Sequence, residues 1–342
     1  MTAPFRPAWW CRNPHVQTIF PNRLRPRPAL ALRRERVELP DGDFIDIDWT
    51  ARDTGPIVLL LHGLQGSSRS HYARSLARSF DRAGWRTAVV HFRGCSGEPN
   101  RLARSYHSGE TGDIAYLAGM LRERHPDVPF AAVGVSLGGN VLLKWLGETG
   151  AANPLSAAVA ISVPFLLNRA ADRLETGFAR LYQWELLYSL RRALKIKRRR
   201  VDLPLTIGKL SRLKTMRDFD DHVTAPLHGF RDSAHYYTES SSRQYLRDIR
   251  VPTLLIQARD DPFMTPDVIP APHELSASVR LEAYPHGGHV GFVGGTWPWR
   301  PFYWLEERVP AFLCDQFGKY VSVEKSPDRK KMRAARHPMR AS

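Results

Sequence analysis

The apolar positions of this chain fall into short unbroken runs separated by stretches of helical period. Ile57 to Leu61 is a run of five aliphatic residues, and similar runs occur over 87–92, 130–135, 157–163 and 252–256, with a further strand expected at Val279-Arg280-Leu281-Glu282-Ala283-Tyr284. Runs of this length without polar alternation predict strands buried on both faces, as in a parallel sheet. Between them, periodicity predicts helices over 72–83, ended by Gly84, over 140–146, and over 113–124. Farther upstream, 35–39 and 44–49 flank Asp41-Gly42, a pairing that predicts an antiparallel hairpin. Alternating buried strands and helices predict an α/β fold, a mostly parallel central sheet with helices on both faces. The alternation lapses from Pro164 to Asp248, which is helical or irregular and rich in Arg, Leu and Tyr. An insertion at that point is expected to sit as a helical lid over the carboxyl ends of the strands.

Composition changes this picture little. A chain of 342 residues can bury a large core in one domain carrying an insertion. Cys11, Cys95 and Cys314 are too few and too widely spaced for a disulfide framework or a zinc site, which favours a reducing compartment. The first residues lack the apolar core of a signal peptide, and no window reaches the ~20 apolar residues of a membrane span. A cytoplasmic location without a transmembrane segment is therefore expected.

Charge matters more. The formal net charge is +16, but 191–200 holds a net +7 and 325–342 a net +6. The excess is thus two local patches and not a broad basic groove. Three segments are expected: an N-terminal arm over 1–34 packed on the body, a catalytic domain over 35–318 with the insertion at about 164–248, and a basic, disordered tail over 319–342. A solvated tail is the simpler reading; loose contact with anionic lipid or nucleic acid is the alternative.

The candidate chemistry centres on Gly134-Val135-Ser136-Leu137-Gly138, a G-x-S-x-G sequence between a predicted strand and a predicted helix. In that context it reads as a nucleophile elbow, in which Gly134 and Gly138 leave room for a turn sharp enough to lift the Ser136 hydroxyl clear of the sheet. A serine hydroxyl needs a base, and the base needs an orienting carboxylate. The α/β-hydrolase order is Ser, then Asp, then His, each at the end of a strand. After the strand 254–257, Ala258-Arg259-Asp260-Asp261-Pro262 offers two aspartates; a resemblance to the G-x-x-D pattern that α/β-hydrolases carry after this strand, with Ala258 in the glycine place, favours Asp261 as the orienter over Asp260. After the last strand, His286-Gly287-Gly288-His289 offers two histidines, of which His289 follows the flexible glycines and is the expected base. His62-Gly63-Leu64, straight after the strand 57–61, is expected to give the Leu64 N–H to an oxyanion hole, with the second N–H from Leu137 and His62 shaping the loop. The chemistry calls for no metal and no organic cofactor.

Taken together, these residues resemble the YheT-like hydrolases of bacteria, relatives of the eukaryotic abhydrolase-domain lipases and the yeast medium-chain ethyl ester synthase/esterases. The resemblance rests on Asn13-Pro14-His15-Val16-Gln17-Thr18, His62-Gly63-Leu64 with Gly66-Ser67-Ser68, 92–98, 106–109 and 134–140. It continues through Phe219-Asp220, 226–230, 260–263 and 287–292, so that it covers about residues 8–318. It implies a serine carboxylic ester hydrolase for short- to medium-chain acyl esters, with a small-molecule ester as substrate and Ser136, Asp261 and His289 as triad. The rivals are an acyltransferase on the same triad and a non-enzymatic binding protein using the basic patches. The His-x4-Asp signature of some acyltransferase relatives is not seen, since His107 lies six residues before Asp113. Asn13 to Thr18 has no derivable catalytic role and is expected to tie the arm to the body. Leu174, Phe178, Leu181, Tyr182 and Trp184 of the insertion suit an apolar acyl site or a plain core of the insertion equally well.

Overall fold

The computed structural model describes residues 3–205, 208 and 210–324. After helix α1 (Pro14–Arg23), strands β1 (Leu32–Glu38) and β2 (Phe44–Thr50) form the expected antiparallel hairpin. There follow β3 (Ile57–Leu61), α2 (His71–Arg82), β4 (Arg86–His91), α3 (Gly112–Arg124), β5 (Phe130–Val135), α4 (Leu137–Thr149) and β6 (Ala157–Ile161). After the insertion come β7 (Thr253–Ala258) and β8 (Val279–Tyr284). These eight strands make one sheet in the order β1-β2-β4-β3-β5-β6-β7-β8, parallel from β4 to β8, with β2 antiparallel to both of its neighbours.

The continuous apolar runs are explained by the two cores they serve. Side chains alternate across a strand, so Ile57, Leu59 and Leu61 pack with Leu117 of α3 and Val141 of α4 on one face. Val58 and Leu60 pack with Leu76 and Phe80 of α2 on the other. Strand β6 ends two residues before the expected 163, because Ser162 turns the chain with a positive φ of 51°.

The order reverses between β3 and β5: the chain leaves β3 toward β4 on one side and returns to place β5 on the other. Ligands of open α/β sheets bind in the crevice at such a reversal, beyond the carboxyl ends of the strands. The loops after β3 and β5 open there.

The insertion between β6 and β7 is helical, as expected: α5 (Leu167–Leu174), α6 (Ala179–Lys197), α7 (Met216–Phe219), a π-helical turn over Asp220–Thr224, α8 (Ala225–His228) and α9 (Ser233–Ser240). It has small cores of its own, one of them built from Leu187, Leu190, Leu194, Phe219 and Val223.

Three elements went unforeseen in the sequence: α1, a hairpin of β9 (Val293–Trp297) with β10 (Arg300–Tyr303), and α10 (Leu305–Glu324). Gly294, Gly295 and Pro301 lie within the hairpin strands and Pro310 within α10, residues that ordinarily argue against those elements. Helix α10 lies on the α2 face, where Val309 and Leu313 join the core. It runs on to Glu324, so the boundary expected at 318 falls inside a helix; the rest of the basic tail, 325–342, lies outside the described residues. Among the described residues, no helix is long and apolar enough to cross a membrane.

Candidate active site

At the end of β5 the chain turns so sharply that Ser136 has φ 54° and ψ −120°, a conformation that a side chain adopts only at a cost. The flanking glycines make the turn possible. A Cβ on Gly134 would lie 2.4 Å from the Gly138 carbonyl oxygen, and one on Gly138 would lie 2.5 Å from that of Leu61. The Ser136 N–H donates to the Ile161 carbonyl at 2.8 Å, and α4 begins at the next residue, with its N-terminus behind the hydroxyl.

His289 lies on the loop after β8, with Nε2 3.1 Å from Ser136 Oγ and Nδ1 2.8 Å from Asp261 Oδ2. A carboxylate at Nδ1 fixes the proton there and leaves the Nε2 lone pair toward the hydroxyl. Asp261 is buried, and its Oδ1 accepts the Phe263 N–H at 2.9 Å. The Phe263 ring stacks on His289 at 4.1 Å between centroids and covers one face of the imidazole.

The competing residues of each pair lie together and apart from the hydroxyl. Asp260 accepts the Gly288 N–H at 3.0 Å and faces His286 Nδ1 at 3.2 Å. Burial raises the pKa of the Asp260 carboxyl. It therefore braces the base of the loop that carries His289.

The loop after β3 lies against the elbow, since a Cβ on Gly63 would be 3.2 Å from Ser136 Cβ. His62 is wholly buried: Nδ1 donates to the Gly63 carbonyl at 2.7 Å, and Nε2 accepts the Phe92 N–H at 3.3 Å. Burial pushes its pKa down to about 3, so it bridges the two loops as a neutral ring. Neighbouring N–H groups are occupied, that of Gly63 by the Tyr72 hydroxyl and that of Gln65 by the Tyr106 hydroxyl. The N–H groups of Leu64 and Leu137 meet no acceptor among the described residues, and both residues line the same cavity as Ser136.

Sequence reasoning missed the residues that hold the His289 loop. The His289 N–H donates to Thr18 Oγ1 at 2.9 Å, and the Val290 N–H to Ser162 Oγ at 3.0 Å. Gln17, wholly buried, donates from Nε2 to the Val293 carbonyl at 2.9 Å and accepts the Val293 N–H at 2.7 Å. Val290 and Phe292 both have positive φ, 62° and 45°, so the loop is strained as well as tethered. Helix α1 touches it backbone to backbone: a Cβ on Gly291 would lie 2.2 Å from the Gln17 carbonyl oxygen. The Asn13–Thr18 motif thus builds a helix, capped by the Asn13 side chain, whose Thr18 reaches the backbone of His289. The conjunction of a polar helix face with a Gly-rich loop some 270 residues later was the available signal, and nothing local marks it.

Other residues that carried the family resemblance fasten loops. The Arg93 guanidinium binds Asp113 with two hydrogen bonds of 2.6 and 2.7 Å and also reaches Asp41 and Asp43. Asn140 of α4 donates to the Ser108 and Ser240 carbonyls and accepts the Ser242 N–H, which joins the elbow helix to the insertion. Asp220 accepts from Tyr237 and Thr224, and burial pushes its carboxyl up to about 6.

Above Ser136 and His289, and below the insertion, lies a cavity of about 790 Å³. Leu174, Leu181 and Tyr182 line it, whereas Phe178 and Trp184 do not: Trp184 is exposed, and the half-exposed Phe178 ring packs on His15 of α1 at 4.3 Å between centroids. The five apolar residues of the insertion therefore split between a cavity wall and an outer surface.

A family model described as the alpha/beta hydrolase fold matches residues 56–296. The chain is 42% identical to YheT of Escherichia coli (strain K12) over 91% of this chain and 93% of that one. It is 30% identical to the mouse protein named phospholipase ABHD3, over 87% of this chain and 75% of that one. Among solved structures, the esterase Pf2001 of Pyrococcus furiosus has the same fold, with a TM-score of 0.54 at 17% identity, covering 92% of this chain and 99% of that one. The chain belongs to the α/β-hydrolase family, in its YheT-like branch.

Proposed function

We propose that this esterase/lipase-type α/β-hydrolase cleaves carboxylic esters of short- to medium-chain acyl groups through an acyl-enzyme on Ser136. The observation that carries the reading is the unbroken line from Ser136 Oγ through His289 to Asp261, with separations of 3.1 and 2.8 Å. Such a line is what a hydroxyl needs to become a nucleophile near neutral pH.

His289 Nε2 takes the hydroxyl proton as Oγ bonds to the ester carbonyl carbon. The N–H groups of Leu64 and Leu137, together with the N-terminus of α4, stabilise the oxyanion. The carbon–oxygen bond to the alcohol breaks, and His289 returns its proton to the leaving oxygen. Water then enters and bonds to the acyl carbon as it loses a proton to His289; the bond to Oγ breaks to release the acid, and His289 returns the proton to Ser136. Asp261 holds the imidazole in one tautomer and offsets its charge while it is protonated. Leu174, Leu181 and other apolar residues of the cavity receive the acyl chain, and the insertion acts as the lid over it. The chemistry requires neither a metal nor an organic cofactor.

The test is hydrolysis of p-nitrophenyl esters of graded acyl length by the wild type and Ser136→Ala. A drop of about 10³-fold or more in the variant supports the reading; equal rates in both proteins overturn it. Adding excess short-chain alcohol separates hydrolysis from acyl transfer, which would give a new ester instead of the acid.

A further inference from the structure

Helix α6 forms one wall of the cavity, yet its outer face is not that of an ordinary solvated helix. Residues 178, 181, 184, 188, 192, 195 and 199 follow at three- or four-residue steps and form one stripe. It lies opposite the buried stripe of Gln183, Leu187, Leu190 and Leu194. The first half of the outer stripe is apolar and aromatic: Phe178 is 48% exposed, Leu181 52%, Trp184 61% and Tyr188 57%. The second half is Arg192, Lys195 and Arg199, all exposed. From 178 to 200 the sequence holds eight cations and one acid, Glu185, whose carboxylate is engaged by Arg23 of α1.

We infer that this outer face of α6 docks on an anionic lipid surface. Four large apolar side chains at helical spacing are what an interfacial helix places at the headgroup–acyl boundary, with Trp and Tyr suited to that depth. Arginine and lysine on the same stripe complement the negative surface of such a membrane. Both halves of the stripe are used by one occupant, whereas a second copy of a chain of net charge +16 would supply the apolar surface but bring like charge with it. The location adds a consequence. Leu181 and Ile196 are exposed on α6 and also line the cavity, so the docked face borders the way into it. An ester dissolved in the bilayer would then reach the cavity without crossing water. The docking is independent of the chemistry assigned to Ser136, because vesicle binding is read without substrate.

Flotation of the full chain with phosphatidylcholine vesicles, with and without about 30% phosphatidylglycerol, tests it. The wild type is expected to float with the anionic vesicles, and less so as salt rises. Trp184→Ser with Tyr188→Ser should weaken this binding about tenfold or more at an unchanged unfolding temperature. Arg192→Gln, Lys195→Gln and Arg199→Gln together should abolish the preference for phosphatidylglycerol. The inference is overturned if the wild type does not float, or if both variants float like it while deletion of 325–342 prevents flotation. It is also overturned if sedimentation shows a wild-type dimer that Trp184→Ser with Tyr188→Ser dissolves, which would make a second copy the occupant. Displacement of the wild type from vesicles by a short duplex DNA, but not by equivalent salt, would assign the cationic half to nucleic acid instead.

Discussion

Ser136 takes its position from a handful of consecutive residues: a buried strand, two glycines without which the turn would clash, and a helix that starts at the next residue. His289 takes its position from the whole molecule. Its ring is fixed by Asp261, its own N–H by Thr18 at a separation of 271 residues, and the next N–H by Ser162 at a separation of 128. Two groups 3.1 Å apart are thus held by opposite strategies, one local and rigid, the other assembled from distant segments. The local half can be written as a motif. The distant half exists only once the fold has formed, and it has more points at which it can be disturbed without unfolding the domain.

The sharpest separation of the distant half into working and bracing parts comes from the paired aspartates. Asp261→Asn removes the charge that fixes and stabilises the imidazole and is expected to lower kcat about 10³- to 10⁴-fold. Asp260→Asn keeps an acceptor for the Gly288 N–H and relieves a buried carboxylate, so kcat should fall less than about tenfold. Steady-state kinetics on one chromogenic ester decides it; comparable losses in the two variants would mean that the Asp260 brace matters as much as the orienter.

These pairs also mark what the sequence made legible. The parallel sheet, the elbow and the order Ser136, Asp261, His289 follow from continuous apolar runs and from turns whose chemistry is local. Helix α10 and the β9–β10 hairpin did not, because Pro310, Pro301, Gly294 and Gly295 argue against helix or strand until tertiary packing outweighs propensity. The motif from Asn13 to Thr18 was visible as a string but silent as chemistry. Its partners, the N–H groups of His289 and Val293, lie some 270 residues away and carry no side-chain signature. Likewise, apolar residues in the insertion pointed equally to an acyl site and to a core. Only the helix axis shows that Leu181 meets the cavity while Trp184 turns away from it.

The contrast between local and distant support can be broken with one methyl group on each side. Gly138→Ala would put a Cβ 2.5 Å from the carbonyl oxygen of Leu61, the last residue of β3, and 2.6 Å from that of His62, the residue after it. Neither carbonyl can move without displacing β3, so both stability and activity should be lost, with the unfolding temperature down by several degrees. Gly291→Ala would put a Cβ 2.2 Å from the Gln17 carbonyl oxygen and 2.8 Å from that of Gly287, so it presses on helix α1 and on the His289 loop and not on the sheet. The expected result is a nearly unchanged unfolding temperature with kcat reduced about 10²-fold, since a small misplacement of the base suffices. Thermal melts beside kinetics on both variants check it, and a Gly291→Ala protein of full activity would show that the arm does not set the position of His289.

Thr18→Val is the most delicate form of the same question, because it keeps the shape of the side chain and removes only the hydroxyl, which accepts the His289 N–H and donates to the Pro14 carbonyl at 2.7 Å. The His289 N–H would then point at a methyl group from a partly buried position, a loss of about 1–3 kcal/mol that the strained loop can relieve by shifting. Because the hydroxyl holds the backbone of His289, the change should fall mainly on kcat, about tenfold, with a smaller effect on KM from the cavity wall that Thr18 also lines. Thr18→Ser retains the oxygen and should restore most of the rate. If Thr18→Val instead lowered only the unfolding temperature, with kcat intact, the arm would be a strut for the domain, and the position of His289 would be set by Asp261 and Ser162 alone.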